Sequence, residues 1–268
     1  MNELVELLQL AAVQRSFIAL ILASLGLPLA GIVLVGLDLV PMRFAIMHVA
    51  LLGAAIGLLI GVDPIGVGIV LSAVAGGLLA PMSRSRSGFT GAIALLLTVA
   101  IALALLVLAI AGVNAAGAFE LLWGSILATR PADLWVIGGI SLLLLAFFVV
   151  KRRQLALVLH DRELALTSGV HADALVIFLL VTVAVAIAAS IRLTGALLVD
   201  AVTLLPALAA RNLADSLKGM IVWSIVLGLL GNMVGLIVAL VLDLPPGPIL
   251  ILTAAAIVVA TTPMRRTT

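Results

Sequence analysis

The chain has 268 residues, 65% of them hydrophobic and 10% charged, with a formal net charge of +2 and a mean hydropathy of +1.44. A soluble domain carries about 45–50% apolar and about 25% charged residues, so this excess is solvated by lipid and no separate soluble domain fits between the apolar runs. The small charge carries no argument for a nucleic-acid partner, and none is expected; the absence of cysteine excludes disulfides, thiolate metal sites and iron–sulfur clusters.

Residues 1–15, MNELVELLQLAAVQR, lack the basic start of a cleavable signal and read as an amphipathic lead-in. Apolar runs long enough to cross a bilayer, about 17–25 residues each, then follow in order. They run from about Ser16 to Leu37, Phe44 to Gly61, Ile65 to just before Pro81, and Phe89 to Val113. A more polar piece, Asn114 to Asp133, holds Glu120 and Trp123 and suits a short re-entrant or interfacial helix. The fifth and sixth spans are expected at Leu134–Val150 and Leu175–Ile191, a short seventh at Gly195–Ala210, an eighth at Gly219–Leu242 and a ninth at Ile249–Thr261. The fold class is therefore all-α and polytopic, with nine crossings, or eight if the seventh does not cross. The whole chain, 1–268, reads as a single transmembrane domain.

Alternate connections collect the basic residues: Arg43; Arg84 and Arg86; Lys151, Arg152, Arg153 and Arg162; Arg211 and Lys218; Arg265 and Arg266. Eleven of the 14 Lys and Arg fall on that side, against Arg15, Arg130 and Arg192 on the other. The bias predicts an external N-terminus and a cytoplasmic C-terminus.

Gly53, Gly57 and Gly61 form a GxxxGxxxG ridge on the second span, and Gly231 with Gly235 a GxxxG on the eighth. Small residues allow close helix approach in lipid, where packing drives association. They establish tight packing and nothing about cargo.

The seventh stretch, GALLVDAVTLLPALAARNLADSLKGM from Gly195, organises the rest. Asp200 and Thr203 share a helical face. Pro206 cannot donate to the carbonyl of Val202, so the helix should kink or stop nearby. A polar patch follows from Arg211 to Lys218 and includes Asn212, Asp215 and Ser216. It reads as a cytoplasmic contact helix before the chain re-enters the membrane.

Chemistry-bearing residues are few. There is no GxxxxGK[ST] to bind ATP, no HExxH and no visible Ser/His/Asp arrangement, so catalysis within this chain is not expected. Ionisable residues inside spans are costly and default to functional candidates; His48 and Asp200 stand out. His48 reads either as a neutral imidazole satisfied by a neighbouring helix or as a transient ligand to metal or cargo. It lies roughly 140° around the helix from Gly53 at about 100° per residue, so it need not share the close-packed face. Asp200 reads either as a structural hydrogen-bond acceptor or as a cargo contact. His160, Asp161, Glu163 and His171 resemble a metal cluster on paper but fall in a basic connection that suits a solvated loop better.

These residues resemble the permease subunits of ABC importers for zinc, manganese or chelated iron. The similarity rests on ordered motifs: His48 with Gly53; Leu122-Trp123-Gly124-Ser125-Ile126-Leu127; Asp161-Arg162-Glu163-Leu164-Ala165 with Gly169; Gly195-Ala196-Leu197-Leu198-Val199 with Leu205-Pro206-Ala207 and Ala210-Arg211; and Pro245-Pro246-Gly247-Pro248. The resemblance implies a type II importer-like fold, a homodimer of permeases, two cytoplasmic ABC ATPases and an extracytoplasmic metal-binding protein. It implies no tightly bound cofactor, with a divalent metal, zinc or manganese, as cargo. It also assigns the segment after Pro206, residues 211–218, to ATPase coupling. One departure matters: where the family has an aspartate and a serine before the histidine, this chain has Phe44 and Met47. Asp200 is then expected to supply the missing carboxylate, and Phe44, Met47, His48, Asp200 and Thr203 are the expected cargo path. The alternatives are a permease for a metal chelate or other small solute, with Phe44 and Met47 lining an apolar path, and a membrane scaffold that transports nothing.

Overall fold

The computed structural model describes residues 9–84, 86–113 and 126–264. Among the described residues every regular element is helical: α1 (Ala11–Gly36), α2 (Met42–Ile60), α3 (Pro64–Leu79), α4 (Arg86–Ile110), α5 (Pro131–Val150), α6 (Arg152–His160), α7 (Arg162–Thr167), α8 (Ala172–Val202), α9 (Leu204–Leu213), α10 (Leu217–Val241) and α11 (Pro246–Thr261), with single 3-10 turns at Pro81–Arg84, Ile126–Ala128 and Thr262–Met264. Among the described residues seven helices are long and apolar enough to cross a membrane, and the shorter α3 is apolar throughout. The chain is a multi-pass membrane protein.

The expected short seventh span is not a separate helix. Residues 195–202 continue α8, which runs 31 residues, about 46 Å at 1.5 Å per residue. The Arg192-Leu193-Thr194-Gly195 sequence suggests a turn, yet the backbone stays helical through it. The piece around Glu120 and Trp123, the motif from Leu122 to Ser125, and Arg265 and Arg266 lie outside the described residues, as does most of the lead-in.

Two compact units divide the chain. The first takes residues 1–35, 124–153 and 193–268; the second takes 36–123 and 154–192. In the first, α1 is the central helix, with 72% of its apolar window buried, whereas α11 has 17% of its window buried. Pro28 interrupts the α1 ladder by withholding an N–H from the carbonyl of Ser24. The same turn carries a buried polar link, in which Asn232 Nδ2 on α10 donates to Ser24 Oγ at 2.8 Å and Ser24 Oγ donates to Leu20 O at 2.7 Å. Glycines set the close approaches. A Cβ on Gly26 would stand 2.2 Å from Ser141 Cα, fixing α1 against α5. In the α10–α11 hairpin a Cβ on Gly235 would stand 3.0 Å from Leu250 Cα and one on Gly231 would stand 3.1 Å from Ile257 Cδ1.

In the second unit α2 and α3 form an antiparallel hairpin in near backbone contact. A Cβ on Gly53 would lie 2.5 Å from Gly68 Cα, and one on Gly57 would lie 2.6 Å from Pro64 Cα. Gly61, expected on the same ridge, does something else. A Cβ there would meet nothing within 4 Å, and Gly61 takes φ +72° as the left-handed C-cap of α2, its N–H donating to Gly57 O. The turn passes directly into α3, whose N-cap Asp63 accepts from Gly66 N at 2.8 Å while Pro64 occupies the first turn. Asp63 is thus the ordinary turn-former that its place before proline suggests.

Candidate cargo path and coupling segment

The two regions that the sequence singles out fall in different units, His48 in the second and Asp200 in the first. Each is described in its own surroundings.

His48 is half-buried in the second turn of α2. Its Nδ1 lies 2.7 Å from the carbonyl oxygen of Phe44, one turn back on the same helix. A carbonyl only accepts, so Nδ1 carries the proton, and in a neutral ring Nε2 is then the lone-pair nitrogen. The ring is satisfied by its own helix rather than by a neighbour. This is the arrangement that metal-ligating histidines use, one nitrogen pinned by an acceptor and the other presented as ligand. Phe44 therefore enters through its backbone. Its ring is 43% exposed and carries the Arg43 guanidinium 4.3 Å from the centroid, a cation–π pair. Met47 is buried in the core of the unit. Among the described residues no group of three or more His, Asp or Glu gathers as a metal cage. Asp161 caps α7, accepting from Glu163 N and Leu164 N.

In the first unit the break near Pro206 falls at Thr203. The Thr203 N–H still donates to Val199 O at 2.9 Å, and its hydroxyl donates to the same carbonyl at 2.6 Å. Its φ and ψ of −101° and −61° then redirect the chain into α9. Pro206 is the third residue of α9, where the absent N–H costs no intrahelical bond. Thr203 is buried and Asp200, one turn earlier, is half-buried.

Around this break two helices, α1 and α10, close in. A Cβ on Gly31 of α1 would stand 2.1 Å from the Thr203 carbonyl oxygen and 2.9 Å from Ala207 Cβ. One on Gly228 of α10 would stand 3.2 Å from Pro28 Cγ and 3.4 Å from Pro206 Cβ. Sequence reasoning missed Gly31, Pro28 and Gly228, because no local spacing marks them; the only signal was glycine or proline inside an apolar run.

Beyond the break, α9 ends at Leu213 and α10 starts at Leu217 with Ser216 as its N-cap, accepting from Gly219 N at 3.2 Å. Asn212, a predicted contact residue, is turned inward, where its Nδ2 donates to Thr261 Oγ1 at the end of α11 at 3.2 Å. Arg211, Asp215, Ser216 and Lys218 are exposed. The patch is thus a short helix end and cap, tied to α11 from beneath and presenting charges of both signs outward.

The model of the ABC 3 transport family matches residues 9–264. The chain belongs to this family. Among relatives of this ABC 3 family protein, a "Probable metal transport system membrane protein" of Treponema pallidum (strain Nichols) is 29% identical over 246 residues, 90% of this chain and 91% of the relative. The "Manganese import system permease protein ScaB" of Streptococcus parasanguinis is 28% identical over 226 residues, 84% of this chain and 79% of the relative. PsaBC from Streptococcus pneumoniae, solved in complex with Fab, superposes with a TM-score of 0.83 at 24% identity, covering 97% of this chain and 94% of that chain. That likeness shows a shared fold.

Proposed function

We propose that this ABC 3 family protein is the membrane-spanning permease subunit of an ATP-driven importer for a divalent metal ion, zinc or manganese, with ATP hydrolysis on a separate partner chain. Family membership over residues 9–264 counts against a scaffold that transports nothing. The observation that carries the metal reading is His48. Its Nδ1–H is committed to Phe44 O at 2.7 Å, so in the neutral ring Nε2 is the nitrogen offered to a metal by a half-buried imidazole inside a candidate span. Imidazole suits zinc, and carboxylate suits the harder manganese; the name of the streptococcal ScaB relative supports manganese. Asp200 is the carboxylate we assign to the cargo path, with Thr203 one turn on. A path with few ligands from one chain fits a transporter, which must release what it binds.

A second reading has its own observation. Phe44 and Met47 stand where the resembled permeases carry a carboxylate and a serine, and the Arg43 guanidinium lies on the Phe44 ring. An apolar, cationic approach suits a metal chelate or a small anionic solute. On either reading two copies enclose the path, ATPases grip Arg211, Asp215, Ser216 and Lys218, an extracytoplasmic binding protein delivers cargo, and the C-terminus is cytoplasmic. An external N-terminus then requires that Ala172–Leu213 make two passages, which cysteine labelling on either side of Thr203 tests.

The deciding experiment is uptake of radioactive zinc and manganese by cells carrying His48→Ala or Asp200→Asn. Loss of metal accumulation at normal membrane abundance supports the metal reading. Unchanged uptake in both variants overturns it, and loss of a chelate's uptake with free metal unaffected selects the second.

A further inference from the structure

Helix α11 is held at two places. Among its described residues only Leu250, Ala254 and Thr261 are buried. Leu250 and Ala254 lie against the glycine face of α10, where a Cβ on Gly235 would stand 3.0 Å from Leu250 Cα and one on Gly231 would stand 3.9 Å from Ala254 Cα. Thr261 comes about 10 Å farther along, at 1.5 Å per residue, and its hydroxyl carries a polar link instead. Asn212 Nδ2 on α9 donates to Thr261 Oγ1 at 3.2 Å, and Thr261 Oγ1 donates in turn to Val258 O at 2.9 Å. A hydroxyl has one proton. With that proton given to Val258, the Thr261 oxygen only accepts, so the partner on α9 must be a donor.

Asn212 stands where such a link has most leverage. Helix α9 starts at the Thr203 break, where φ and ψ of −101° and −61° redirect the chain. The break is the natural pivot of α9. Asn212 lies nine positions beyond it, about 13 Å along the helix, in the last turn before the exposed Asp215, Ser216 and Lys218. Helix α10 follows those residues directly, so a displacement of them reaches it through its own backbone. Helix α11 follows only after the 25 residues of α10, and the Asn212–Thr261 hydrogen bond bypasses that length.

We propose that Asn212 is a positioning residue for transport: its amide ties α9 to the C-terminal end of α11, so that motion imposed on the segment after α9 is carried into α11 and not into α10 alone. This rests on the reading of residues 211–218 as the grip of an ATPase.

The chain has no cysteine, so a single nitroxide label can be placed by Val259→Cys on α11 or by Leu230→Cys on α10, positions 71% and 52% exposed. The experiment reads the spectral change of each label when ATP and vanadate are added to the full chain purified with its ATPase partner in nanodiscs. With no further substitution both labels should respond. Asn212→Leu and Thr261→Val should each cut the response at position 259 about threefold, the factor set by an average hydrogen bond between helices in a bilayer. The two together should cut it no further, and the response at position 230 should stay. Thr261→Ser keeps the hydroxyl and should keep the response. So should Thr262→Val, which removes a hydroxyl that donates to the same Val258 carbonyl from an exposed residue. A response at 259 that survives both Asn212→Leu and Thr261→Val, or one that is absent before either is made while 230 responds, overturns the proposal. Variants that lower both labels alike show a merely structural role and overturn it too. Failure to co-purify with an ATPase, or silence at both positions in a complex that hydrolyses ATP, overturns the ATPase reading of residues 211–218 and this inference with it. If Asn212→Leu does not assemble with the ATPase, Thr261→Val on α11 decides alone.

Discussion

Gly31 lies so close to Thr203 that a Cβ there would stand 2.1 Å from the Thr203 carbonyl oxygen. The carbonyl belongs to the residue where α8 gives way to α9, so the absent side chain on α1 makes room for the break itself. Gly31→Ala must push α1 and α9 apart, an overpacking cost of about 1–3 kcal/mol. A Cβ on Gly139 of α5 would meet nothing within 4 Å, and Gly139→Ala should stabilise by roughly 0.5–1 kcal/mol. Thermal unfolding in one detergent, read by intrinsic fluorescence for both variants, should move in opposite directions.

His48→Gln keeps a donor for Phe44 O and removes the imidazole ligand. Metal uptake should fall about tenfold or more, the effect of losing about 1.4 kcal/mol or more of cargo contact, with membrane abundance unchanged. Phe44→Asp places a carboxylate one turn from His48, and its ring position is already 43% exposed. The ratio of manganese to zinc uptake should rise about tenfold, because a carboxylate oxygen favours the harder ion. Competition uptake with both isotopes measures it.

Reversing the exposed charges Arg211 and Lys218 to Glu leaves the packing around Thr203 alone. Stability should change by no more than about 0.5 kcal/mol, as for other surface sites, while co-purification with the ATPase partner and ATP-dependent uptake are lost. Unfolding temperature and pull-down on the same preparations separate the two effects.

Asn232 and Ser24 are both buried and share a hydrogen bond of 2.8 Å. Within a bilayer such a link is worth on average about 0.6 kcal/mol and up to about 1.7 kcal/mol. Asn232→Leu and Ser24→Ala, alone and combined, should give a coupling energy of that size in a double-mutant cycle on unfolding in mixed micelles.

Helix positions were legible wherever the sequence supplied its own punctuation. Pro64 and Asp63 open α3 and Gly61 ends α2, each within a residue or two of the boundary read from the sequence. Residues 192–195 misled because a charged residue, a threonine and a glycine in succession look like a turn, yet the backbone runs helical through them as part of α8. For the candidate site, His48 was visible as an ionisable residue in a span, but the acceptor for its Nδ1 was not, since nothing in the residue types says which way the ring turns. The cluster of Pro28, Gly31, Thr203, Pro206 and Gly228 joins residues up to 200 positions apart along the chain. No local period encodes such a meeting; only the fold assembles it.

The α2–α3 hairpin has a further consequence. Gly53 meets Gly68 and Gly57 meets Pro64, pairs that share one midpoint along the chain, between Ile60 and Gly61 where the turn begins. The loop length thus sets which residues oppose one another. A single amino acid inserted after Val62 would rotate α3 by about 100° relative to α2 and carry Gly68 and Pro64 away from the two crossing points. This connection, although it lies at the protein's surface, should tolerate exchange of residue type far more readily than any change in length.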